Sequence, residues 1–272
     1  MAFLTDFHCH TNISIDGADS MLAMARAEHA AGVNILCFTD HCDTVDWHTL
    51  QFYPPCGTVA QRVIAAYETC REELPAGLDV RLGMELGETI FHPELAAELA
   101  GAEGLDFILG SLHITPEHGD FYNIRYESYE QCSVLCLLYL EKLQLIADTG
   151  CFDVMAHIGY LRRYMWQNGF DTGLTLCEHG ERIETLLRTI IAQGKGIEIN
   201  CSGIRDGCGP FPSPEILRLY RELGGEIVTV GSDAHRTADA AKCIAEGHEL
   251  LRSLGFRYVS AYRRHEPEFY PL

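Results

Sequence analysis

Residues 6–10 read Asp6-Phe7-His8-Cys9-His10 and close the first predicted strand, Phe3–Cys9, with two histidines. Side chains alternate along an extended strand, so His8 and His10 share one face while Cys9 occupies the other. Two neutral imidazoles at this spacing can both reach one divalent cation. Taken alone, the pattern fits a pair of buried core histidines equally well, so the rest of the chain must decide between the two.

Short β-rich runs alternate with helical stretches along the rest of the chain. The predicted strands after the first are Ile35–Thr39, Val80–Glu85, Asp106–Leu112, Phe152–Ala156, Gly196–Asn200 and Ile227–Gly231, with Phe256–Ala261 as a candidate eighth. The predicted helices carry apolar residues at helical spacing and are Ser20–Ala31, Val59–Leu74, Ser128–Asp148, Leu174–Gln193, Pro214–Leu223 and Ala238–Leu254. This alternation indicates parallel strands joined by helical crossovers, in either an open doubly wound sheet or a closed barrel.

Polar side chains at the strand ends distinguish these two architectures. Beyond His8 and His10 they include His41, Glu85, His113, His157, Asp233 and His235. An open sheet gathers its ligands in one crevice, whereas here every predicted strand through the seventh offers polar residues at its carboxyl end. We therefore predict a seven-stranded, TIM-like α/β barrel, formed by residues 1–272 as a single domain.

The strand-end residues also suggest a chemistry. Each one alone could simply be a hydrogen-bonded polar residue that closes a strand, but eight nitrogen or oxygen ligands at equivalent positions are hard to ascribe to chance. An imidazole–carboxylate set without thiolates suits Zn, Mn or Fe. Eight ligands exceed the needs of one tetrahedral ion, so we predict at least two metals, a recurrent hydrolytic arrangement.

Composition limits the partners and the compartment. The chain carries 20 Lys and Arg against 39 Asp and Glu, a formal net charge of −19, so a nucleic-acid duplex would be repelled over most of the surface. The sequence contains no run of about 18 apolar residues, so no membrane span is predicted. The first residues also lack the pattern of a secretory signal peptide. The 12 cysteines are scattered without a C-x-x-C pair, which predicts reduced thiols in a cytoplasmic protein.

The order of the motifs resembles the PHP (polymerase and histidinol phosphatase) superfamily along the whole chain. The carrying motifs are HxH, TDH, an isolated Glu, GSxH, AH and GSDAH, which end at His10, His41, Glu85, His113, His157 and His235. Three further segments resemble the histidinol-phosphate phosphatase branch, namely Leu161–Tyr164, Phe211–Leu217 and Gly255–Tyr258.

This resemblance implies a distorted (β/α)7 barrel with up to three metals. A first metal would be held by His8, His10, Glu85 and Asp233. Glu85 would bridge to a second metal, held by His113 and His157. A third would bind Asp16, His41 and His235, with Asp19 as the alternative loop ligand. The catalytic set implied is Glu85, Asp233 and His235, with arginines for the phosphate.

The expected arginines are Arg205 and one of Arg162 and Arg163, which follow predicted strands and could grip phosphate oxygens bidentately. The resemblance implies a metal-dependent phosphomonoesterase that hydrolyses L-histidinol phosphate, a small-molecule substrate. Its ammonium group would need an acidic partner, for which Asp43, Asp46 and Glu117 are candidates. Two alternatives stay open: a phosphoesterase acting on nucleotides or short oligonucleotides, and an inactive scaffold domain.

Two segments depart from the branch. Gly159 stands where a member often has Asp, and the stretch Thr115–Arg125, which would border the substrate, is atypical.

Overall fold

The computed structural model describes residues 3–46, 48–115, 117–170 and 174–272. The strands are β1 Thr5–Cys9, β2 Ile35–Asp43, β3 Asp79–Gly87, β4 Phe107–Ser111, β5 Ile114–Thr115, β6 Gly119–Asp120, β7 Val154–Met155, β8 Gly196–Asn200, β9 Val228–Gly231, β10 Tyr258–Arg263 and β11 Glu266–Pro271. The helices are α1 Met21–Ala30, α2 Val59–Cys70, α3 Pro93–Ala100, α4 Tyr129–Thr149, α5 Arg162–Gln167, α6 Leu176–Ala192, α7 Ser202–Asp206, α8 Pro214–Glu222 and α9 Ile244–Ser253.

Seven parallel strands form a nearly closed barrel in the order β1-β2-β3-β4-β7-β8-β9. The last strand returns to the first through a parallel bridge between Cys9 and Ala234. Two backbone hydrogen bonds hold this seam: Asp233 N–H donates to the His8 carbonyl at 2.8 Å, and His10 N–H donates to the Ala234 carbonyl at 2.9 Å. The predicted seven-stranded α/β barrel is confirmed.

The pairing of β1 with β2 contains an irregularity at the site of the first two histidines. Asp6 pairs with Leu36 and Cys9 with Phe38, so three steps along β1 match two along β2. Such a bulge adds a residue to one strand and re-aims the side chains beside it. Phe7 consequently joins the core inside the barrel, where its ring meets Phe107 edge-on at 5.2 Å.

The helix ends follow local sequence signals. Ser128 begins α4, and its hydroxyl accepts the Gln131 N–H at 3.2 Å, which satisfies one of the unpaired amides of the first turn. Gly150 ends the same helix at a φ of 64°, a left-handed conformation that favours glycine. The apolar faces of the long helices then pack on the outside of the strands in one continuous core.

The β10–β11 hairpin covers the amino-terminal mouth of the barrel. Tyr262 lies beside Phe107 at a ring distance of 5.0 Å, and its hydroxyl donates to the Asp153 carbonyl at 3.3 Å. The buried Arg81 guanidinium donates to the Tyr262 carbonyl at 2.9 Å and pairs with Glu268 at 3.0 Å. The candidate eighth strand therefore exists, but it pairs with β11 rather than entering the barrel sheet.

The helix predictions omit α3, α5 and α7, and they place the start of the last helix too early. The α3 helix has no counterpart among the predicted elements, although Pro93 occupies a favourable first-turn position. The last helix is predicted over Ala238–Leu254, but in the structure it begins six residues later, at Ile244. Ala241 and Cys243 take φ values of 53° and 62°, which interrupt helical geometry before that point. No helix in the described ranges is long and apolar enough to cross a membrane.

One histidine outside the strand-end set links the fold to pH. His248 is buried on α9, and its Nε2 accepts the Thr5 N–H at 3.2 Å. Burial lowers the pKa of His248 from 6.5 to about 4. Between these values the unfolded chain binds a proton that the folded chain excludes, so stability decreases as pH falls through this window.

We expect His248 to remove up to about 3 kcal/mol of unfolding free energy as pH falls from the unfolded pKa toward the folded one. His248→Gln can still accept from Thr5 N–H but does not titrate. Urea unfolding between pH 6.5 and 4 should show a shallower loss of stability for the variant than for the wild type. Parallel pH profiles for the two proteins would contradict this assignment.

Candidate metal centre

The first metal position lies at the carboxyl end of the barrel, where four predicted ligands converge. His8 Nε2 lies 3.3 Å from Glu85 Oε2 and 3.6 Å from Asp233 Oδ1. His10 Nε2 lies 3.5 Å from each of the same two oxygens. Donors bound at about 2.0–2.1 Å to one tetrahedral ion lie about 3.3 Å apart. These four nitrogen–oxygen distances are close to the spacing expected for donors to one such ion.

Glu85 presents its other oxygen to a second position. Its Oε1 lies 3.2 Å from His113 Nε2 and 2.8 Å from His157 Nε2. His8, Glu85 and His157 also form one of the ligand groups that could hold an ion. The two oxygens of Glu85 thus face different histidines, as a bridging carboxylate requires.

The third position lies at the rim of the barrel. Asp16 Oδ2 lies 3.2 Å from His235 Nε2, and Asp16 Oδ1 lies 3.7 Å from His41 Nε2. The Nε2 atoms of His41 and His235 lie 3.4 Å apart. The alternative ligand Asp19 is engaged elsewhere, because its carboxylate accepts the Thr237 N–H at 2.7 Å. The geometry places Asp16, not Asp19, with the two histidines.

Several of the ligand atoms also lack a hydrogen-bond partner, as expected for atoms that bind a cation. His8 Nε2, His10 Nε2 and Glu85 Oε2 are buried without a hydrogen-bond partner among the described residues. Buried polar atoms are nearly always satisfied in folded proteins. Three such atoms that converge on one point are explained by a metal ion, and the nitrogen–oxygen donor set suits Zn, Mn or Fe.

The electrostatics favour the metal-binding protonation states of Glu85 and His10, whereas nearby carboxylates outweigh burial and raise the pKa values of His8, His41 and His113. Burial alone would raise the pKa of the Glu85 carboxyl, but the charges of His8, His41 and His113 outweigh it and hold that pKa well below its usual value. Burial, reinforced by the neighbouring His235, lowers the pKa of His10 well below its usual value. An ionised carboxylate and a neutral imidazole are the forms that coordinate a cation.

A cavity of about 500 Å³ opens beside these positions, and we call it the metal-side cavity. Its walls include His41, His113, Asp233 and His235 together with Arg163 and Arg205. Arg162 is not part of these walls, since its guanidinium donates to the Cys208 carbonyl at 3.3 Å. The structure therefore brings Arg163 and Arg205 to the cavity and turns Arg162 away from it.

Comparison with known proteins bears on this arrangement. The PHP domain profile matches residues 6–202, which include seven of the nine predicted ligands; the other two, Asp233 and His235, follow β9. The chain belongs to the PHP domain family. A Deinococcus radiodurans protein named "Probable histidinol-phosphatase" is 26% identical over 98% of this chain and 100% of its own length. The Lactococcus lactis protein named "Histidinol-phosphatase" is 22% identical over 94% and 93%.

A solved structure gives the same fold. Histidinol phosphate phosphatase from Lactococcus lactis, crystallised with zinc, L-histidinol and phosphate, superposes with a TM-score of 0.77 at 21% identity. The match covers 97% of this chain and 98% of that one. This likeness shows that the two proteins share the barrel fold.

Two of the predicted ligands adopt uncommon backbone conformations. His157 has a φ of 25° and Asp233 a φ of 56°, values that non-glycine residues adopt at an energetic cost. Both are held by buried hydrogen bonds: His157 N–H donates to Glu198 Oε2, and Asp233 N–H donates to the His8 carbonyl, each at 2.8 Å. Strain that is fixed in this way is typical of functional sites.

Sequence reasoning missed two carboxylates that hold the ligands. Glu198 accepts at 2.7 Å from His8 Nδ1, which orients the imidazole so that Nε2 faces the metal position. Asp40 accepts the Thr11 N–H and the Ser14 hydroxyl, each at 2.7 Å, and so fixes the loop after β1. A charge within the apolar run of β8, Ile197-Glu198-Ile199, was the available signal for the first.

The two departures from the branch also have structural counterparts. Gly159 has a φ of 102°, and its N–H donates to the Tyr139 hydroxyl at 3.3 Å. An Asp here would adopt that φ only with strain. The atypical stretch 115–125, of which Pro116 lies outside the described residues, contains β6 and contributes Asp120, Tyr122 and Asn123 to the metal-side cavity.

The three acidic candidates for an ammonium partner lie elsewhere. Asp43 is buried, with its Oδ1 3.8 Å from His113 Nδ1. Asp46 accepts the His48 and Thr49 amides in an exposed turn, and Glu117 pairs with Lys142 at 2.8 Å. None of these three described residues belongs to the walls of the metal-side cavity.

Glu85→Gln should lower kcat for phosphate-ester hydrolysis on the order of 100-fold or more. Gln keeps the volume of Glu but removes the charge that two cations would share. We expect metal content, measured by elemental analysis, to fall in parallel. His92→Gln is the control, since His92 lies at the start of α3 and contacts Phe52 rather than the metal positions. Near-normal kcat and metal content in Glu85→Gln would exclude a bridging role.

Proposed function

We propose that this protein is a metal-dependent phosphomonoesterase that hydrolyses L-histidinol phosphate to L-histidinol and phosphate. The observation that carries the proposal is the convergence of overlapping ligand groups, two of which share Glu85, beside a cavity lined by Arg163 and Arg205. The names of the relatives support the substrate, and the PHP family supports the reaction class.

The residues proposed to hold the metals are those of the three positions described above, namely His8, His10, Asp16, His41, Glu85, His113, His157, Asp233 and His235. We propose two to three ions per chain, of Zn, Mn or Fe. When bound, such ions supply Lewis-acid activation of water and neutralise phosphate oxygens. Asp233 and His235 flank this region from the loop after β9, where they face both the first and third positions.

The arginines are proposed to bind the phosphate. Arg163 lies against the Tyr160 and Phe211 rings at 5.4 and 5.6 Å, and its Nε pairs with Asp206 at 3.2 Å. Arg205 donates to the Ser232 carbonyl at 3.2 Å. Because these contacts fix both guanidiniums before substrate arrives, their charges can stabilise the negative charge that develops on the phosphoryl oxygens.

The substrate is proposed to be a small phosphate monoester rather than a nucleic acid. The net charge of −19 opposes a long polyanion, whereas two arginines on one cavity suit a single phosphate group. A catalytically inactive scaffold is disfavoured, since it would bury an ionised Glu85 and its histidines without using them. We further propose that the whole chain acts as one domain; the cytoplasmic location stays a prediction.

Chelation should abolish phosphate release, because the proposed metal ions would activate the attacking water. Purified protein should contain two to three transition-metal ions per chain by elemental analysis, and readdition of the metal should restore activity. Full activity in stringently demetallated protein would refute the metal-dependent reaction.

L-Histidinol phosphate should exceed AMP and p-nitrophenyl phosphate in kcat/KM by on the order of tenfold or more, which requires only about 1.4 kcal/mol of selective transition-state binding. The three substrates are to be compared at one pH with one metal. A higher kcat/KM for AMP would leave the metal site intact but assign the protein to nucleotide hydrolysis.

A further inference from the structure

Four carboxylates line the metal-side cavity: Asp16, Asp120, Asp233 and Asp239. Three of them are balanced by cationic or metal-binding side chains. Asp16 and Asp233 face the histidines of the metal positions, and Asp239 pairs with Arg236 and Lys242 at 2.7 Å each.

Asp120 differs from the other three. It is 9% exposed, and its Oδ1 accepts the Tyr122 backbone N–H at 2.8 Å. Within the described chain no cationic side chain forms an ion pair with it. Burial raises the pKa of its carboxyl, as expected for a charge that lacks a partner inside the protein.

The backbone holds Asp120 next to a metal ligand. Asp120 on β6 pairs with Ile114 on β5, and the following Phe121 N–H donates to the His113 carbonyl at 3.1 Å. His113 Nε2 in turn lies 3.2 Å from Glu85 Oε1. The backbone of Asp120 is therefore held beside that of His113, and both side chains line the metal-side cavity.

The surroundings of Asp120 suit a ligand that carries both a cation and a ring. Tyr122, Tyr160 and Tyr164 line the same cavity, and Tyr122 is 69% exposed. The Tyr160 ring meets the His113 ring edge-on at 5.2 Å, and the Tyr122 ring meets Tyr164 at 5.7 Å. An aromatic wall thus adjoins an unpaired carboxylate.

We propose that Asp120 binds the α-ammonium group of the substrate and so selects amino-alcohol phosphates over other phosphomonoesters. The inference rests on the proposed function. In histidinol phosphate the amine is carried by the carbon next to the one that bears the ester oxygen, so the ammonium must bind close to the phosphate. Asp120 meets that requirement, whereas Asp43, Asp46 and Glu117 do not line the cavity.

A carboxylate–ammonium pair in a half-enclosed site can supply strong discrimination. A substrate that lacks the amine would leave the buried Asp120 charge unpaired, and such a loss weakens binding more than the mere absence of a contact. Charge-assisted hydrogen bonds of this kind correspond to about 10- to 100-fold in affinity.

The test compares L-histidinol phosphate with imidazolylpropyl phosphate, which has the same ring and alkyl leaving group but no amine. For the wild type we expect the ratio of kcat/KM values to favour the amine by on the order of tenfold or more. In Asp120→Asn this ratio should fall to near one, mainly through KM, with metal content unchanged. Asn retains the capping oxygen for Tyr122 N–H, so the variant removes the charge and preserves the turn.

Glu117→Gln is the matched control, because Glu117 lies in the same segment but is exposed and pairs with Lys142. It should keep the wild-type ratio. Asp120→Ser, which can also cap the turn, provides a second variant and should behave as Asp120→Asn.

Three results would overturn the inference: no preference for the amine in the wild type, an unchanged ratio in both Asp120 variants, or loss of metal from them. These failures differ from failure of the proposed function, which would appear as faster wild-type hydrolysis of AMP than of histidinol phosphate. The two ideas can therefore be rejected separately.

Discussion

Glu85 is buried at the carboxyl end of the barrel, with His41 Nδ1 2.9 Å from one of its oxygens and His157 Nε2 2.8 Å from the other. An ionised carboxylate in such a place is costly unless positive charge compensates it. The surrounding imidazoles cannot all be protonated together, since they would repel one another. Divalent cations would resolve this conflict, because the carboxylate could stay ionised while the imidazoles stayed neutral. The arrangement of the barrel around Glu85 follows from that requirement.

Closure of the barrel is what allows distant segments to serve one centre. The ligands come from both ends of the chain, and the seam between β1 and β9 brings His8 and Asp233 within 3.6 Å of each other. Glu198 then links two of these strands, because its carboxylate binds the His8 imidazole and the His157 amide. The barrel strands and the residues directly after them thus carry most of the predicted metal ligands, while Asp16, Arg205 and Asp120 lie in the segments that connect one barrel strand to the next. We therefore expect the reaction class to depend on the strand-end residues and the substrate choice to depend on the connecting segments.

The metal-side cavity differs in charge from the protein surface as a whole. The protein is strongly acidic overall, yet Arg163 and Arg205 place positive charge inside one cavity. A small phosphate monoester can enter and be bound locally, whereas a polyanion would meet repulsion over a wide area. An acidic cavity wall at Asp120 has a place in this scheme, because a zwitterionic substrate needs both signs of charge within a few bonds.

The sequence by itself determined the strand-end residues, since a period of two places His8 and His10 on one face and the motif order places Glu85, His113 and His157 at equivalent strand ends. Only the tertiary structure decided which of Arg162 and Arg163 faces the cavity. Successive residues on a helix point about 100° apart, so the answer depends on how α5 docks against the barrel. The same holds for Asp16 over Asp19 and for Glu198, whose partners lie far away in the sequence. Local pattern fixes the direction of a side chain relative to its own strand or helix, whereas its partners are set by the packing of those elements against one another.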